Sequence, residues 1–230
     1  MELDERLQAI LQRIARAAER AHRVPSDVTL VAVTKTIAPP DIERAFRLGV
    51  RHFGENRVQE AEGKIAALAH LRPHITWHMV GHLQSNKARM AVLLFDMVQS
   101  VDSFSLAQEL SRRAAKPRGH GTRPLPILLE VNVAGEASKS GFSPDAVAEA
   151  VQSVARLPNL ELRGLMTVAP LAADPETVRP AFRRLRELRD ALGLRELSMG
   201  MTDDFEVAIE EGATMVRIGR ALFRERPVIT

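Results

Sequence analysis

Short apolar runs alternate with amphipathic helical patterns along almost the whole chain. This alternation constrains the fold more than any other pattern in the sequence. The apolar runs are too short for buried helices, and each is followed by a stretch with apolar residues at helical spacing. This alternation is typical of parallel strands joined by crossover helices. We predict eight strands, at 28–34, 50–54, 75–80, 96–101, 125–131, 160–166, 195–199 and 214–218.

The helical patterns between these strands complete eight strand–helix units, which fit a small (β/α)8 barrel. We predict helices near 40–48, 56–69, 85–93, 104–115, 144–156, 175–192 and 204–211, and a short one after Gly219. An extra N-terminal helix carries apolar residues at helical spacing, namely Leu3, Leu7, Ile10, Leu11, Ile14, Ala18 and Ala21. The predicted fold is therefore an α/β fold, a single TIM-barrel domain over residues 1–230. An open doubly wound sheet is the alternative, but no G-x-G-x-x-G follows the first strand and no G-x-x-x-x-G-K-[ST] occurs.

Composition excludes several classes of chemistry. The 230 residues contain no cysteine, which rules out disulfides, thiolate nucleophiles and cysteine-ligated metals. They also contain no tyrosine, so no mechanism can use a tyrosine acid or base. The formal net charge is only +3, which suits a phosphate-bearing ligand and gives no sign of specific nucleic-acid binding. The N-terminus is charged from Glu2 onward and resembles neither a signal peptide nor a membrane span, so we expect a soluble cytoplasmic protein.

A lysine, Lys35, directly follows the first predicted strand, and only Thr34 separates it from the apolar run 30–33. A lysine that leaves water loses free energy unless it is paired or deprotonated. Lys35 therefore either reaches solvent at the strand end or uses its amine to form a covalent adduct. In a barrel of this kind the C-terminal ends of the strands carry the chemistry. The other polar and glycine residues expected there are Gly54, Glu55, Asn56, 81–86, Asn132, Thr167, Ser198, Gly200, Thr202, Arg217, Gly219 and Arg220.

Two kinds of site fit this set of strand ends. Glycines after strands seven and eight let backbone N–H groups approach a phosphate. With Lys35 as a Schiff-base lysine and Arg217 facing a ring, the set meets the requirements of pyridoxal 5'-phosphate. A sugar-phosphate barrel enzyme with a Schiff-base lysine has the same pattern, and the residues alone leave both possibilities open.

Long motifs in this sequence resemble the YggS/PROSC family of pyridoxal phosphate homeostasis proteins. The similarity runs in order along essentially the whole chain, through VAVTK at 31–35, HFGENRVQEA at 52–61, WHMVGHLQSNKAR at 77–89, SKSGF at 138–142, GLM at 164–166 and the long run 197–223. That family is similar to the N-terminal barrel of alanine racemase, a fold type III pyridoxal phosphate barrel, without the C-terminal β domain. The resemblance implies that this chain also lacks that domain.

Carried over residue by residue, the resemblance makes Lys35 the Schiff-base lysine. It implies that Ser198 and the backbone of Gly219 and Arg220 hold the phosphate, and that Asn56 lies beside the ring. Arg217 is expected near the cofactor, either at the ring nitrogen or at the phosphate. An arginine at the ring nitrogen would keep that nitrogen unprotonated, because a guanidinium does not give up its proton.

This sequence departs from the family pattern at a few positions. Thr34 and Thr202 stand where serine is usual, and both keep a hydroxyl. Ala213 replaces a serine, and Arg220 stands where Thr or Ser usually follows the glycine. The Arg220 side chain can therefore supply charge to the phosphate or point to solvent.

The expected function is binding of pyridoxal 5'-phosphate for intracellular homeostasis, by holding, buffering or delivering the cofactor without robust turnover. Racemisation needs a second base, which is a tyrosine in the racemases, and this chain has none. The alternatives are a small amino-acid racemase, a Schiff-base sugar-phosphate aldolase, or a regulatory protein whose partner senses cofactor occupancy. Apoenzymes that use pyridoxal phosphate are the expected partners, and the resemblance suggests a monomer. We predict no metal site, since His74, His78 and His82 have the spacing of a helical zinc face but His78 falls in a predicted strand.

Overall fold

Eight parallel strands close into a barrel in the order in which they occur in the sequence. The computed structural model describes residues 2–115, 123–136, 140–170 and 172–223. The strands are β1 Thr29–Val33, β2 His52–Glu55, β3 Thr76–Met79, β4 Met97–Val101, β5 Leu125–Glu130, β6 Leu160–Met166, β7 Glu196–Ser198 and β8 Met215–Ile218. The pairing of β1 with β8 closes the barrel, with Thr29 opposite Met215. The predicted barrel is confirmed, and the open sheet is excluded.

Helices follow the strands on the outside of the barrel, as predicted. In the described residues they are α1 Leu3–Arg20, α2 Pro39–Arg47, α3 Val58–Ala67, α4 Ala88–Leu94, α5 Phe104–Ala114, α6 Val147–Val154, α7 Arg179–Ala191, α8 Phe205–Glu210 and α9 Arg220–Phe223. Short 3-10 segments occupy Pro25–Asp27, Ala69–His74, Ser85–Lys87 and Pro175–Val178.

Several predicted helices begin later than expected, and two of them have a clear local reason. The helix predicted from residue 56 starts at Val58, because Arg57 has extended backbone with φ −136° and keeps Asn56 at the end of β2. The helix predicted from 175 starts at Arg179. Before it, a 3-10 turn begins at Pro175, capped by the Asp174 side chain, which accepts from the Glu176 N–H.

The extra N-terminal helix is present and packs against α8 and α9. The Glu2 N–H donates to the Glu5 carboxylate over 2.9 Å at its start, as in a capping box. Its buried face is formed by Leu3, Leu7, Ile10, Ile14, Ala17 and Ala18. Leu11, which we expected on that face, is instead 40% exposed.

The interior of the barrel is filled by one small apolar cluster and by polar side chains. The apolar cluster comprises Val31, Met97, Leu128, Met166 and Met215 and is separate from the large core between strands and helices. Since side chains alternate along a strand, the next inward positions carry polar groups such as Gln99 and Arg217. In the part of the chain that the structure describes, no helix is long and apolar enough to cross a membrane.

Candidate functional site

A cavity of about 510 Å³ opens at the C-terminal end of the barrel. Its polar lining includes Lys35, Asn56, Arg217, Gly219 and Arg220. These are five of the six residues predicted to bind a cofactor, contributed by the ends of β1, β2 and β8. The opposite wall is mostly apolar and comes from the segment after β6, with Val168, Ala169, Pro170, Ala172 and Val178. The cavity therefore combines an apolar wall with a few converging polar groups, as is typical of small-molecule sites.

Lys35 lies in the turn that follows β1 and is exposed to the cavity, while the preceding Thr34 is completely buried. Among the described residues, the Lys35 side chain has no hydrogen-bond or ion-pair partner. The next residue, Thr36, has a φ of +62°, in the left-handed region that β-branched residues rarely adopt. The strand therefore ends on a lysine whose amine is accessible from the cavity.

Asn56 offers an unused hydrogen-bond acceptor at the end of β2. Its Oδ1 is buried and has no partner in the described part of the chain, although the residue lines the cavity. The backbone beside it is tightly packed against Gly81, where an added Cβ would lie 2.4 Å from the Asn56 carbonyl oxygen. Because a buried acceptor without a partner is costly, this oxygen is suited to a donor on a bound ligand.

Arg217 provides a fixed positive charge inside the barrel. It is only 4% exposed, and its guanidinium donates to the Ser198 hydroxyl over 2.6 Å and to the Thr167 carbonyl oxygen over 2.8 Å. Burial lowers the pKa of Arg217 to about 10, and the nearby Glu130 and Asp204 carboxylates oppose that shift. The group remains charged at neutral pH.

Ser198 is not placed as predicted. Its side chain is completely buried inside the barrel and does not line the cavity. The hydroxyl donates its only proton to Gln99 Oε1 over 2.6 Å and accepts from Arg217. In this arrangement the hydroxyl has no donor left for a phosphate, and it accepts a hydrogen bond from the Arg217 guanidinium.

The hydrogen bonds continue from Ser198 across the barrel to β3 and β2. Gln99 Nε2 lies 2.9 Å from His78 Nδ1, and His78 Nε2 lies 3.0 Å from His52 Nδ1. Because arginine can only donate, the direction of every bond is fixed, so His78 accepts at Nδ1 and carries its proton on Nε2. Burial, with contributions from the charges of His52 and Arg163, lowers the pKa of His78 to about 3. His78 is thus neutral, and both of its ring nitrogens take part in these hydrogen bonds.

The end of β8 passes close to β1. A Cβ at Gly219 would lie 3.3 Å from the Val33 carbonyl oxygen, so a larger residue would require Val33 to shift by a few tenths of an ångström. The next side chain, Arg220, forms an ion pair with Asp203 at the mouth of the cavity, and both side chains are more than half exposed. In this structure Asp203 therefore holds the Arg220 guanidinium at the entrance of the cavity.

Gln99 is the member of this site that the sequence analysis missed. The signal was an amide at an inward position of β4, in the run 97–101 whose other polar residue is Ser100. Of the SKSGF motif, Ser138 and Lys139 lie outside the described residues.

Comparisons with known proteins agree with this geometry. Residues 6–227 match the family model for the alanine racemase N-terminal domain. Pyridoxal phosphate homeostasis proteins of Pseudomonas aeruginosa and Aquifex aeolicus are 47% and 44% identical to the chain; each alignment covers 96% of this chain and 95% or 97% of the relative. The solved structure of PipY from Synechococcus elongatus with pyridoxal phosphate bound is 38% identical. It has a TM-score of 0.81 and covers 96% of this chain and 100% of that one. The fold is shared with a D-threonine aldolase from Filomicrobium marinum. That structure is 18% identical and has a TM-score of 0.72, and the match covers 96% of this chain and 59% of the aldolase chain.

Proposed function

Since this chain belongs to the pyridoxal phosphate homeostasis protein family, we propose that it binds pyridoxal 5'-phosphate at the C-terminal end of its barrel and helps maintain the supply of that cofactor. The observation that carries the proposal is the Lys35 side chain, which has no partner among the described residues and lines the same cavity as Asn56 and Arg217. The PipY relative, solved with the cofactor bound, supports the same conclusion.

The residues around the cavity fit the chemistry of this cofactor. Pyridoxal 5'-phosphate supplies an aldehyde, a pyridine ring and a phosphate dianion, and its aldehyde condenses with a lysine amine. Lys35 would provide that amine. Asn56 Oδ1, buried and without a partner, would accept a hydrogen bond from the bound molecule. The backbone of Gly219 and Arg220 would hold the phosphate.

Arg217 would supply a fixed cationic donor near the cofactor. Ser198 and Thr167 hold its guanidinium, so little reorganisation is needed when a ligand enters. Ser198 would therefore act through Arg217 rather than by touching the phosphate. The apolar wall formed by Val168, Pro170 and Val178 would exclude water from one side of the ring.

We further propose that the protein holds and delivers the cofactor and does not use it for rapid turnover. Lysine can serve as a base on one face of an amino-acid substrate, but a racemase needs a second base on the other face. The chain contains no tyrosine to provide one. The recipients of the cofactor would be apoenzymes that depend on pyridoxal phosphate.

Transfer to an apoenzyme tests this role. The loaded protein is mixed with an apo-aminotransferase, and recovery of aminotransferase activity is compared with that given by an equal amount of free pyridoxal phosphate. We expect reactivation by the loaded protein, and no racemisation of alanine or other amino acids. Racemase turnover comparable to that of dedicated enzymes would overturn the proposal of a non-catalytic role. A sugar-phosphate aldolase would instead be trapped by borohydride only when its sugar phosphate is present.

A further inference from the structure

Three charged side chains outside the cavity lining contact the turn that carries Lys35. They are Glu55 at the end of β2, and Glu60 and Lys64 on α3, here called the Lys64 cluster. The Lys64 ammonium donates to Glu55 Oε1 over 2.8 Å and to Glu60 Oε1 over 2.6 Å. The Lys64 side chain is 9% exposed and that of Glu55 is completely buried, so most of the cluster is removed from water.

The cluster binds the backbone on both sides of Lys35. Before it, the Thr34 carbonyl oxygen accepts from the Lys64 ammonium over 2.5 Å, and the Thr34 hydroxyl donates to Glu55 Oε1 over 2.5 Å. After it, the Thr36 N–H donates to Glu60 Oε1 over 2.6 Å. The two peptide units that fix the direction of the Lys35 side chain are therefore attached to the same three charges.

The bond from Thr36 to Glu60 helps to hold an unfavourable backbone conformation, together with the bonds from the Ile37 N–H to the Thr34 carbonyl oxygen and from the Thr36 hydroxyl to the Lys35 carbonyl oxygen. A left-handed φ of +62° at a β-branched residue is unfavourable and persists only where surrounding contacts impose it. The Glu60 carboxylate is the contact that receives the Thr36 N–H in that conformation. Without it, the turn can return to a more relaxed geometry and carry Lys35 with it.

Stability alone does not explain the cluster. Removing carboxylates and an ammonium from water is expensive, and an apolar pair of similar volume often serves a fold as well. Burial raises the pKa of Glu55, against the hydrogen bonds from Lys64 and Thr34, and its Oε2 has no partner. Burial opposes ionisation of Glu60 as well, but the hydrogen bonds from Lys64 and Thr36 outweigh it and lower its pKa. The Lys64 cluster loses free energy by burial and contacts the backbone on both sides of Lys35. Its presence is better explained by the backbone geometry that it imposes on Lys35 than by stability.

We propose that Glu55, Glu60 and Lys64 are positioning residues that aim the Lys35 amine at the aldehyde carbon of pyridoxal phosphate. This inference rests on the proposed function. In the step concerned, the Lys35 nitrogen bonds to the aldehyde carbon, the carbon–oxygen double bond becomes a carbon–nitrogen double bond, and one water molecule leaves. The cluster touches none of the reacting atoms; it fixes the backbone from which the amine reaches them. Glu55 also directly precedes Asn56. The end of β2 therefore positions both the turn that carries Lys35 and the Asn56 Oδ1 acceptor in the cavity.

A matched pair of substitutions on α3 tests the proposal. Glu60→Ala removes the acceptor of the Thr36 N–H, whereas Glu62→Ala makes the same change at an exposed position two residues away. The rate of covalent attachment is followed by visible absorbance and by borohydride trapping, with the modified peptide located by mass spectrometry. We expect Glu60→Ala to attach the cofactor about tenfold more slowly or worse, because small displacements of a reacting group cost rate steeply. Glu62→Ala should match the unmodified protein.

Two further measurements separate positioning from a general loss of structure. Pyridoxine 5'-phosphate has an alcohol in place of the aldehyde, so it reports on the cavity without attachment to Lys35. Its affinity should be the same in Glu60→Ala and in the unmodified protein. Glu60→Gln keeps a carbonyl oxygen that can accept from Thr36, and it should restore most of the attachment rate.

The outcomes are distinct. If the unmodified protein attaches the cofactor at Lys35 and Glu60→Ala attaches it equally fast, the positioning role is overturned and the proposed function stands. A parallel loss of pyridoxine 5'-phosphate affinity in Glu60→Ala also overturns the positioning role, because the cluster would then support the whole cavity. If the unmodified protein forms no adduct at Lys35, the proposed function is wrong and the inference is wrong with it.

Discussion

The Arg217 guanidinium donates to the Ser198 hydroxyl over 2.6 Å inside the barrel, and that hydroxyl donates in turn to Gln99. The serine predicted to hold the phosphate is hydrogen-bonded to the arginine in this structure, and we propose that it acts by orienting the guanidinium. From Gln99 the hydrogen bonds continue through His78 on β3 to His52 on β2. Such a chain keeps Arg217 in place before any ligand arrives.

A double-mutant cycle distinguishes this role of Ser198 from direct contact with the phosphate. Ser198→Ala should weaken binding of pyridoxine 5'-phosphate by about 1 kcal/mol, because Arg217 loses its oriented acceptor. In an Arg217→Met background the same change should have almost no effect on affinity, since Ser198 acts through Arg217. Calorimetric titration of the four proteins gives the coupling free energy. Additive effects would mean that Ser198 contacts the ligand on its own.

The low pKa of His78 predicts a dependence of stability on pH. The folded-state pKa of about 3 lies below the ordinary value of 6.5, so between these values the unfolded chain binds a proton that the folded chain does not. The contribution of His78 to stability is complete above about pH 6.5 and is lost as the pH falls toward 3. It amounts to a few kcal/mol at most.

Urea unfolding at pH 7 and pH 4.5 measures this effect. His78→Gln can still accept from Gln99 and cannot titrate, so it should lose less stability than the unmodified protein between the two pH values. Carboxyl groups with raised pKa values, such as Glu55, Glu130 and Asp204, contribute with the opposite sign in both proteins and cancel in the comparison. Equal losses in the two proteins would show that His78 is not held neutral by burial.

Two glycines should respond in opposite directions to the same substitution. Gly81→Ala places a Cβ 2.4 Å from the Asn56 carbonyl oxygen, so the end of β2 must shift. We expect a loss of stability of about 1–3 kcal/mol and weaker binding of pyridoxine 5'-phosphate. Gly63→Ala lies in α3 with nothing within 4 Å of the new Cβ, and it should stabilise the helix by about 0.5–1 kcal/mol. Thermal unfolding of both variants checks the pair, and equal stability of the two would contradict the close packing at Asn56.

Sequence reasoning located the strand ends correctly, because apolar runs and helical periods repeat regularly in this fold. The C-terminal ends of parallel strands lie at the same end of the barrel, and this brings together Lys35, Asn56 and Arg217 in one cavity. The bonds among interior residues could not be predicted in the same way. Ser198 on β7 and Gln99 on β4 are not on neighbouring strands, and only the closed barrel brings them together.

One residue of the Lys64 cluster is recognisable as unusual in the sequence. Lys64 occupies a position on the buried face of α3, between Ala61 and Ile65, where an apolar residue would be expected. A lysine on the apolar face of a helix implies an ion-pair partner. In this structure Lys64 pairs with both Glu55 and Glu60. The pattern marks such a residue as unusual, but only the fold shows which backbone groups it binds.

The most direct measurement is the visible absorption spectrum of the protein incubated with pyridoxal 5'-phosphate, beside Lys35→Ala and Lys87→Ala prepared identically. Lys87 lies outside the cavity lining and controls for attachment to any surface lysine. We predict a yellow band of protein-bound cofactor in the unmodified protein and in Lys87→Ala, and its absence in Lys35→Ala. A band that persists unchanged in Lys35→Ala, or that is absent from the unmodified protein, would contradict the assignment of Lys35 as the residue that holds the cofactor.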